Sequence, residues 1–142
     1  MSSEIVIKFL VAAVLAGTPF LFGTVGEILS EKVGHLNLGV EGMMYMGAVF
    51  GFMGAYYLDS AATALLFAFL GGLGGALVYA FLTVTLKANQ NVAGLTLTIF
   101  GTGLANLLGT NMVNASGSGA AMVSDSIKAI FRPLDMGALT AL

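Results

Sequence analysis

The residues with the chemistry to act are gathered in one stretch, Gly26-Glu-Ile-Leu-Ser-Glu-Lys-Val-Gly-His-Leu-Asn-Leu-Gly-Val-Glu-Gly42, which holds three of the seven acids and the only histidine. Glu31 and Lys32 would suit any solvated loop. Leu36 to Gly42 would not, because polar and apolar residues alternate there and then run into a long apolar segment. Glycines at 34, 39 and 42 let the backbone leave helical geometry. Non-helical backbone at membrane depth is tolerated only when buried in protein or facing a water-filled cavity. Glu41 at a helix start is a capping carboxylate, a group on a translocation path or a partner across subunits. Glu27 has the same alternatives, with Lys32 as a candidate ion partner. His35 has no second histidine and no acid at ligand spacing, so no metal site is expected, nor any cofactor.

A second polar group is Lys87-Ala-Asn-Gln-Asn-Val-Ala-Gly94. The amides Asn89, Gln90 and Asn91 can cap the following helix or contact a polar solute. Asn106 lies deep in an apolar run and is expected to hydrogen-bond within the protein, as interhelical glue or as a ligand contact. Asn37, Glu41, Asn89, Gln90, Asn91 and Asn106 are thus the candidate polar lining of a pathway. No nucleophile–base pair is visible. The run Gly71-Gly-Leu-Gly-Gly75 is apolar and lacks the Lys-Ser/Thr of a nucleotide-binding loop, so the chain itself is not expected to hydrolyse ATP.

These residues sit in an unusually apolar chain. Of 142 residues 58% are hydrophobic and 8% charged, with a mean hydropathy of +0.97. Five Lys/Arg and seven Asp/Glu cannot cover a water-soluble fold of this size. Disorder is excluded by the amount of apolar side chain. The scattered cations leave no nucleic-acid footprint, and the lack of cysteine excludes disulfides and thiolate metal sites.

Charges punctuate the chain. Uncharged runs of 18, 17, 27 and 37 residues follow Lys8, Glu41, Asp59 and Lys87. A helical span needs about 20 apolar residues, which predicts four spans near 6–26, 40–58, 62–86 and 92–113. The fold class is therefore all-α and polytopic, with lipid as a partner and a broken, glycine-rich segment after the first span. The first span runs past any small-residue cleavage site near Ala16, so it is read as a membrane helix, kinked at Pro19, in preference to a signal peptide.

Small residues recur every four positions as Gly47-Gly51-Ala55, Ala68-Gly72-Ala76-Ala80 and Gly101-Ala105-Gly109. Each set falls on one helix face and is expected to pack closely, with Gly47, Gly51, Gly72, Gly101 and Gly109 as contact points. After Asn114 the chain turns through 114–119 and enters an amphipathic stretch over 122–131, which Pro133 ends. An interfacial segment or extramembrane loop is expected there. Lys32, His35 and Lys87 fall at one end of the spans and Lys8, Lys128 and Arg132 at the other. Weighting short loops places Lys32 and Lys87 in the cytoplasm.

The segments Gly26-Glu27, Glu31-Lys32, Gly34-His-Leu-Asn-Leu-Gly-Val-Glu-Gly-Met-Met44 and Gly47-Ala48 resemble the N-terminal half of ABC importer permeases of the nucleoside and simple-sugar group, in the branched-chain amino-acid permease superfamily. Lys87-Ala-Asn-Gln-Asn-Val-Ala-Gly-Leu95 with Phe100-Gly-Thr-Gly-Leu104 is similar to a second block of that group. The resemblance covers roughly residues 10–110. It implies a bacterial inner-membrane importer in which a second permease subunit, identical or not, completes the pathway. Cytoplasmic ABC ATP-binding subunits would drive it and an extracytoplasmic binding protein would deliver nucleosides or sugars. Permeases of this group are longer, with their ATPase-coupling loop in the second half, so this chain is expected to be a fragment or one part of a split permease. The rival reading is an ion-coupled secondary transporter or channel, a dimer of four-helix subunits with Glu27 and Glu41 as proton or cation sites.

Overall fold

The computed structural model describes residues 3–117 and 120–130. They form five α-helices, with no strand among the described residues: α1 Ser3–Lys32, α2 Val40–Leu58, α3 Ala61–Ala80, α4 Gln90–Ala115 and the short α5 Asp125–Ile130. Only Asp59 and Ser60 separate α2 from α3, so the two must run antiparallel. Asp59 takes the left-handed conformation (φ 45°) and donates its N–H to the Ala55 carbonyl, ending α2 in one residue. A π-helical turn, Phe81–Thr85, ends α3. Lys32, His35 and Lys87 lie at one end of the helices and Lys128 at the other. Arg132, Pro133 and the end of the 122–131 stretch, Phe131, lie outside the described residues, as do 118 and 119 of the turn.

Three helices, Ile5–Lys32, Ala61–Thr85 and Gln90–Ala115, are long and apolar enough to cross a membrane. The expected span 40–58 coincides with α2 but does not meet that measure. Glu41, four glycines and three tyrosines dilute its apolar character. The physical reason is position. α2 packs along both α3 and α4, and its glycines face those neighbours instead of lipid.

A β-carbon at Gly51 would stand 2.8 Å from the Ala68 β-carbon, one at Gly54 2.9 Å from the Thr63 carbonyl oxygen, and one at Gly71 2.9 Å from that of Met46. Gly47 faces the Ala68 carbonyl at 3.1 Å. The tightest approach joins α2 to α4: a β-carbon at Gly101 would overlap the Gly42 carbonyl, with the Gly42 α-carbon 2.7 Å away. Backbone lies against backbone here, which only hydrogen-sized side chains permit. Of the expected α3 ridge, Ala68 meets Gly47 and Gly51, and a β-carbon at Gly47 would stand 3.7 Å from Gly72 N; the buried residues of α3, Ala64, Gly71, Gly75 and Tyr79, lie beside that row. Gly109 meets nothing within 4 Å among the described residues.

α1 is different. It continues without interruption through Pro19 and six residues beyond the expected end, and its apolar side chains are almost all exposed. Its main contact is Gly23, where a β-carbon would stand 2.9 Å from Met44 Sδ and 3.3 Å from Val40 Cγ1. Thr18 and Thr24 donate to the Val14 and Phe20 carbonyls one turn back, both at 2.8 Å, so neither hydroxyl asks anything of the surroundings. At the opposite end from the α1–α2 hairpin, residues 33–39, Ile127 of α5 is buried against Ala55 and Ala64, seating the tail across the α2–α3 turn.

Candidate functional site

Residues 33–39, between α1 and α2, have no regular structure, so each of their backbone polar groups needs a partner from elsewhere. Helix α1 ends on itself: Gly34, at φ 84°, donates to the Glu31 carbonyl at 2.9 Å and His35 to that of Ser30 at 3.0 Å. From Leu36 onward the partners are side chains of three helices. Leu36 N–H donates to Gln90 Oε1 at 2.8 Å, and its carbonyl accepts from the Tyr79 hydroxyl at 2.7 Å. Asn37 N–H donates to Glu27 Oε1 at 2.7 Å. The Leu38 carbonyl accepts from the Thr98 hydroxyl at 2.9 Å, and Gly39 N–H donates to Asn37 Oδ1 at 3.0 Å, closing a local turn. Gln90 Nε2 reaches the Gly34 carbonyl at 3.4 Å.

The hairpin is therefore clamped, and it is inserted. Thr98 lies eight residues into α4, about 12 Å along its axis. A β-carbon at Gly94 would stand 2.8 Å from Leu38 N, and one at Gly39 3.2 Å from the Gly94 carbonyl oxygen. The glycines admit the loop between helices, and the polar side chains replace the water it gives up.

This geometry distributes the six candidate lining residues. Asn37 is buried, with its carbonyl oxygen spent on Gly39 and its amide nitrogen 3.8 Å from Met43 Sδ. Gln90 holds the hairpin. Asn89 caps α4, accepting from Asn91 N–H at 3.0 Å and Val92 N–H at 3.2 Å. Asn91 and Asn106 are exposed and their side chains make no hydrogen bond among the described residues, which differs from the internal bond expected for Asn106. Glu41 sits exposed on the first turn of α2.

Glu41 and Glu27 share a cleft of about 610 Å³ between α1 and α2, walled also by Pro19, Gly23, Met44 and Ala48. Glu27 is half-buried; its Oε1 holds the hairpin while its Oε2 is shielded from solvent and has no hydrogen bond among the described residues, as is true of His35 Nδ1. The anticipated Glu27–Lys32 ion pair is not formed; Lys128–Asp125, at 3.0 Å on the surface of α5, is the ion pair among the described residues. No group of three or more His, Cys, Asp or Glu there could hold a metal ion. Tyr79 and Thr98 stand in apolar runs as ordinary span residues. Nothing in their spacing singles them out, because what they bond is a carbonyl forty or more positions away.

Residues 5–133 match the family described as the branched-chain amino acid transport system, permease component. The chain is 42% identical over 113 residues to the "Putative glucose ABC transporter permease protein TsgC13" of Haloferax volcanii, a stretch covering 76% of this chain and 33% of that protein. It is 36% identical over 98 residues to the nucleoside ABC transporter permease protein NupC of Lactococcus lactis, and 29% identical over 98 residues to the guanosine ABC transporter permease protein NupQ of Bacillus subtilis. These cover 64% and 65% of this chain and 31% of each relative. The chain thus spans about a third of the length of these relatives. No solved structure matches it at a significant level. Three membrane-length apolar helices and this match make it a multi-pass protein of the inner (plasma) membrane, and the chain belongs to the family of branched-chain amino-acid-type transport permeases.

Proposed function

We propose that the chain forms part of the permease of an ATP-driven importer that moves nucleosides or simple sugars inward by alternating access. The observation that carries the reading is the unequal attachment of the helices. The hairpin, α2, α3 and α4 interlock through glycines and hydrogen bonds, whereas α1 meets them along one narrow line beside a 610 Å³ cleft. Such a division supplies a unit that moves as one piece and a helix against which it can rock. The named relatives, permeases for glucose, nucleosides and guanosine, supply the substrate class.

In this reading α2 is the fourth crossing, shielded from lipid by its neighbours. Lys32, His35 and Lys87 face the cytoplasm, where separate ATP-binding subunits dock and hydrolyse ATP. A second permease subunit, a copy or a relative, closes the pathway, and an extracytoplasmic binding protein delivers solute at the α5 end. The shielded, unbonded Oε2 of Glu27 favours one alternative, an ion-coupled carrier with that carboxyl as a proton site. Uptake of labelled guanosine and glucose by cells carrying the intact locus separates the two. The importer loses uptake when the ATP-binding partner is inactivated and keeps it when the proton gradient is collapsed with ATP maintained. Uptake that survives loss of the ATPase refutes the proposal.

A further inference from the structure

The C-terminal half of α4 is built inside out for a helix in lipid. Gly103, Asn106, Thr110 and Asn114 are all exposed and, at 100° per residue, share an arc of about 80°. Gly101, Leu104, Leu108 and Met112, buried or half-buried, lie nearly opposite, against the bundle. The inward side is thus apolar, while the side turned away carries two carboxamides and a hydroxyl in one row, flanked by the exposed Leu107 and Val113. None of these three side chains makes a hydrogen bond among the described residues. Thr96 and Thr102 on the same helix return their hydroxyls to carbonyls one turn back, at 2.8 and 2.9 Å. A carboxamide in mid-span cannot meet its two donors and its acceptor that way, and hydrocarbon leaves them unmet at a cost of several kcal/mol.

The packed faces of this chain show what a helix partner requires. Where α2 meets α3 and α4 the contacts are Gly42, Gly47, Gly51, Gly54 and Gly101, and α2 and α3 contain no Asn or Gln. Side chains as long as Asn106 and Asn114 would hold a neighbouring backbone at a distance. The row is also graded in depth: Asn114 is at the helix end, Asn106 about 12 Å inward from it and Gly103, without a side chain, near mid-helix. No charged residue lies between Lys87 and Asp125. Resting on the importer reading above, we propose that this face lines a water-filled vestibule from the α5 end to mid-membrane. Its carboxamides and hydroxyl exchange hydrogen bonds with a neutral, hydroxyl-rich solute, and Gly103 leaves the space in which that solute pauses.

These 142 residues hold no cysteine, so in a transporter whose remaining parts are made cysteine-free each introduced thiol reports on its own position. They are placed at 103, 106, 110 and 114, and at the exposed apolar α3 positions Leu66 and Leu77 as controls, in the transporter expressed from its own locus. A membrane-impermeant methanethiosulfonate is added from outside. The four positions are expected to react at least about tenfold faster than Leu66→Cys and Leu77→Cys, and excess guanosine or D-glucose to slow positions 106 and 110 about fivefold. Should Asn106→Cys fail to assemble, Gly103→Cys and Thr110→Cys give the same reading. Reaction at 103, 106 and 110 no faster than at the controls, with ATP-dependent uptake intact, overturns the vestibule and leaves the importer standing. Fast reaction that neither solute slows overturns the solute contact. Loss of ATP dependence in the uptake assay strikes the importer reading itself and is scored separately.

Discussion

Helices α1 and α4 are both long enough to cross a membrane, yet they are held in opposite ways. α4 is fixed by its sequence at close range: Gly94 and Gly101 bring backbone against backbone, Asn89 caps its start, and Gln90 and Thr98 grip the inserted hairpin. α1 has apolar side chains on every side, satisfies its own hydroxyls, and is tied to the rest by Gly23 and by Glu27 at its far end. Apolar composition brings a helix into the bilayer. Small residues and buried hydrogen bonds decide which helices then move together.

The largest effect is expected where backbone meets backbone. Gly101→Leu should abolish recovery of folded protein, and even Gly101→Ala should lower stability by about 1–3 kcal/mol or more, since the Gly42 backbone cannot give way as a side chain would. Gly109→Ala, with open space around it, is the matched control and should be recovered like the wild type. Monodisperse yield after detergent extraction reads both. Equal losses at 101 and 109 would erase the distinction between packed and open faces.

Next come the clamps. Glu27→Ala leaves Asn37 N–H without its acceptor and Tyr79→Phe leaves the Leu36 carbonyl without its donor, each worth about 1–3 kcal/mol. Glu27→Gln keeps an acceptor and should recover most of the loss, which thermal unfolding in nanodiscs can rank. Asn89→Ala removes the α4 cap, for a smaller loss of about 1 kcal/mol. The smallest effect belongs to α1. Val14→Ala or Phe22→Ala, at side chains 70% and 72% exposed, should change thermal stability by no more than about 0.5 kcal/mol.

The spacing of charges is enough to find the helices, and the α2 and α4 boundaries fall within two residues of the expected ones. It stops short at α1, because Glu27 and Glu31 look like the end of a span although the helix continues to Lys32. The ridge of α3 was ambiguous in principle. Gly71, Gly72, Gly74 and Gly75 offer small faces in more than one direction, and only contact with Met43, Met46 and Phe50 selects Gly71 and Gly75. The polar cluster was legible as an anomaly in an apolar chain. Its division of labour was not, because Asn37 and Gln90 serve the backbone of a loop whose other partners, Tyr79 and Thr98, are unremarkable span residues.

Backbone hydrogen exchange of residues 36–39 in nanodiscs tests the clamped, inserted hairpin most directly. Leu36, Asn37 and Gly39, though outside any helix, should exchange at least about a hundredfold more slowly than an unstructured peptide, and Glu27→Ala should release Asn37 first. Exchange of all three at unprotected rates, with α4 still protected, would contradict the account.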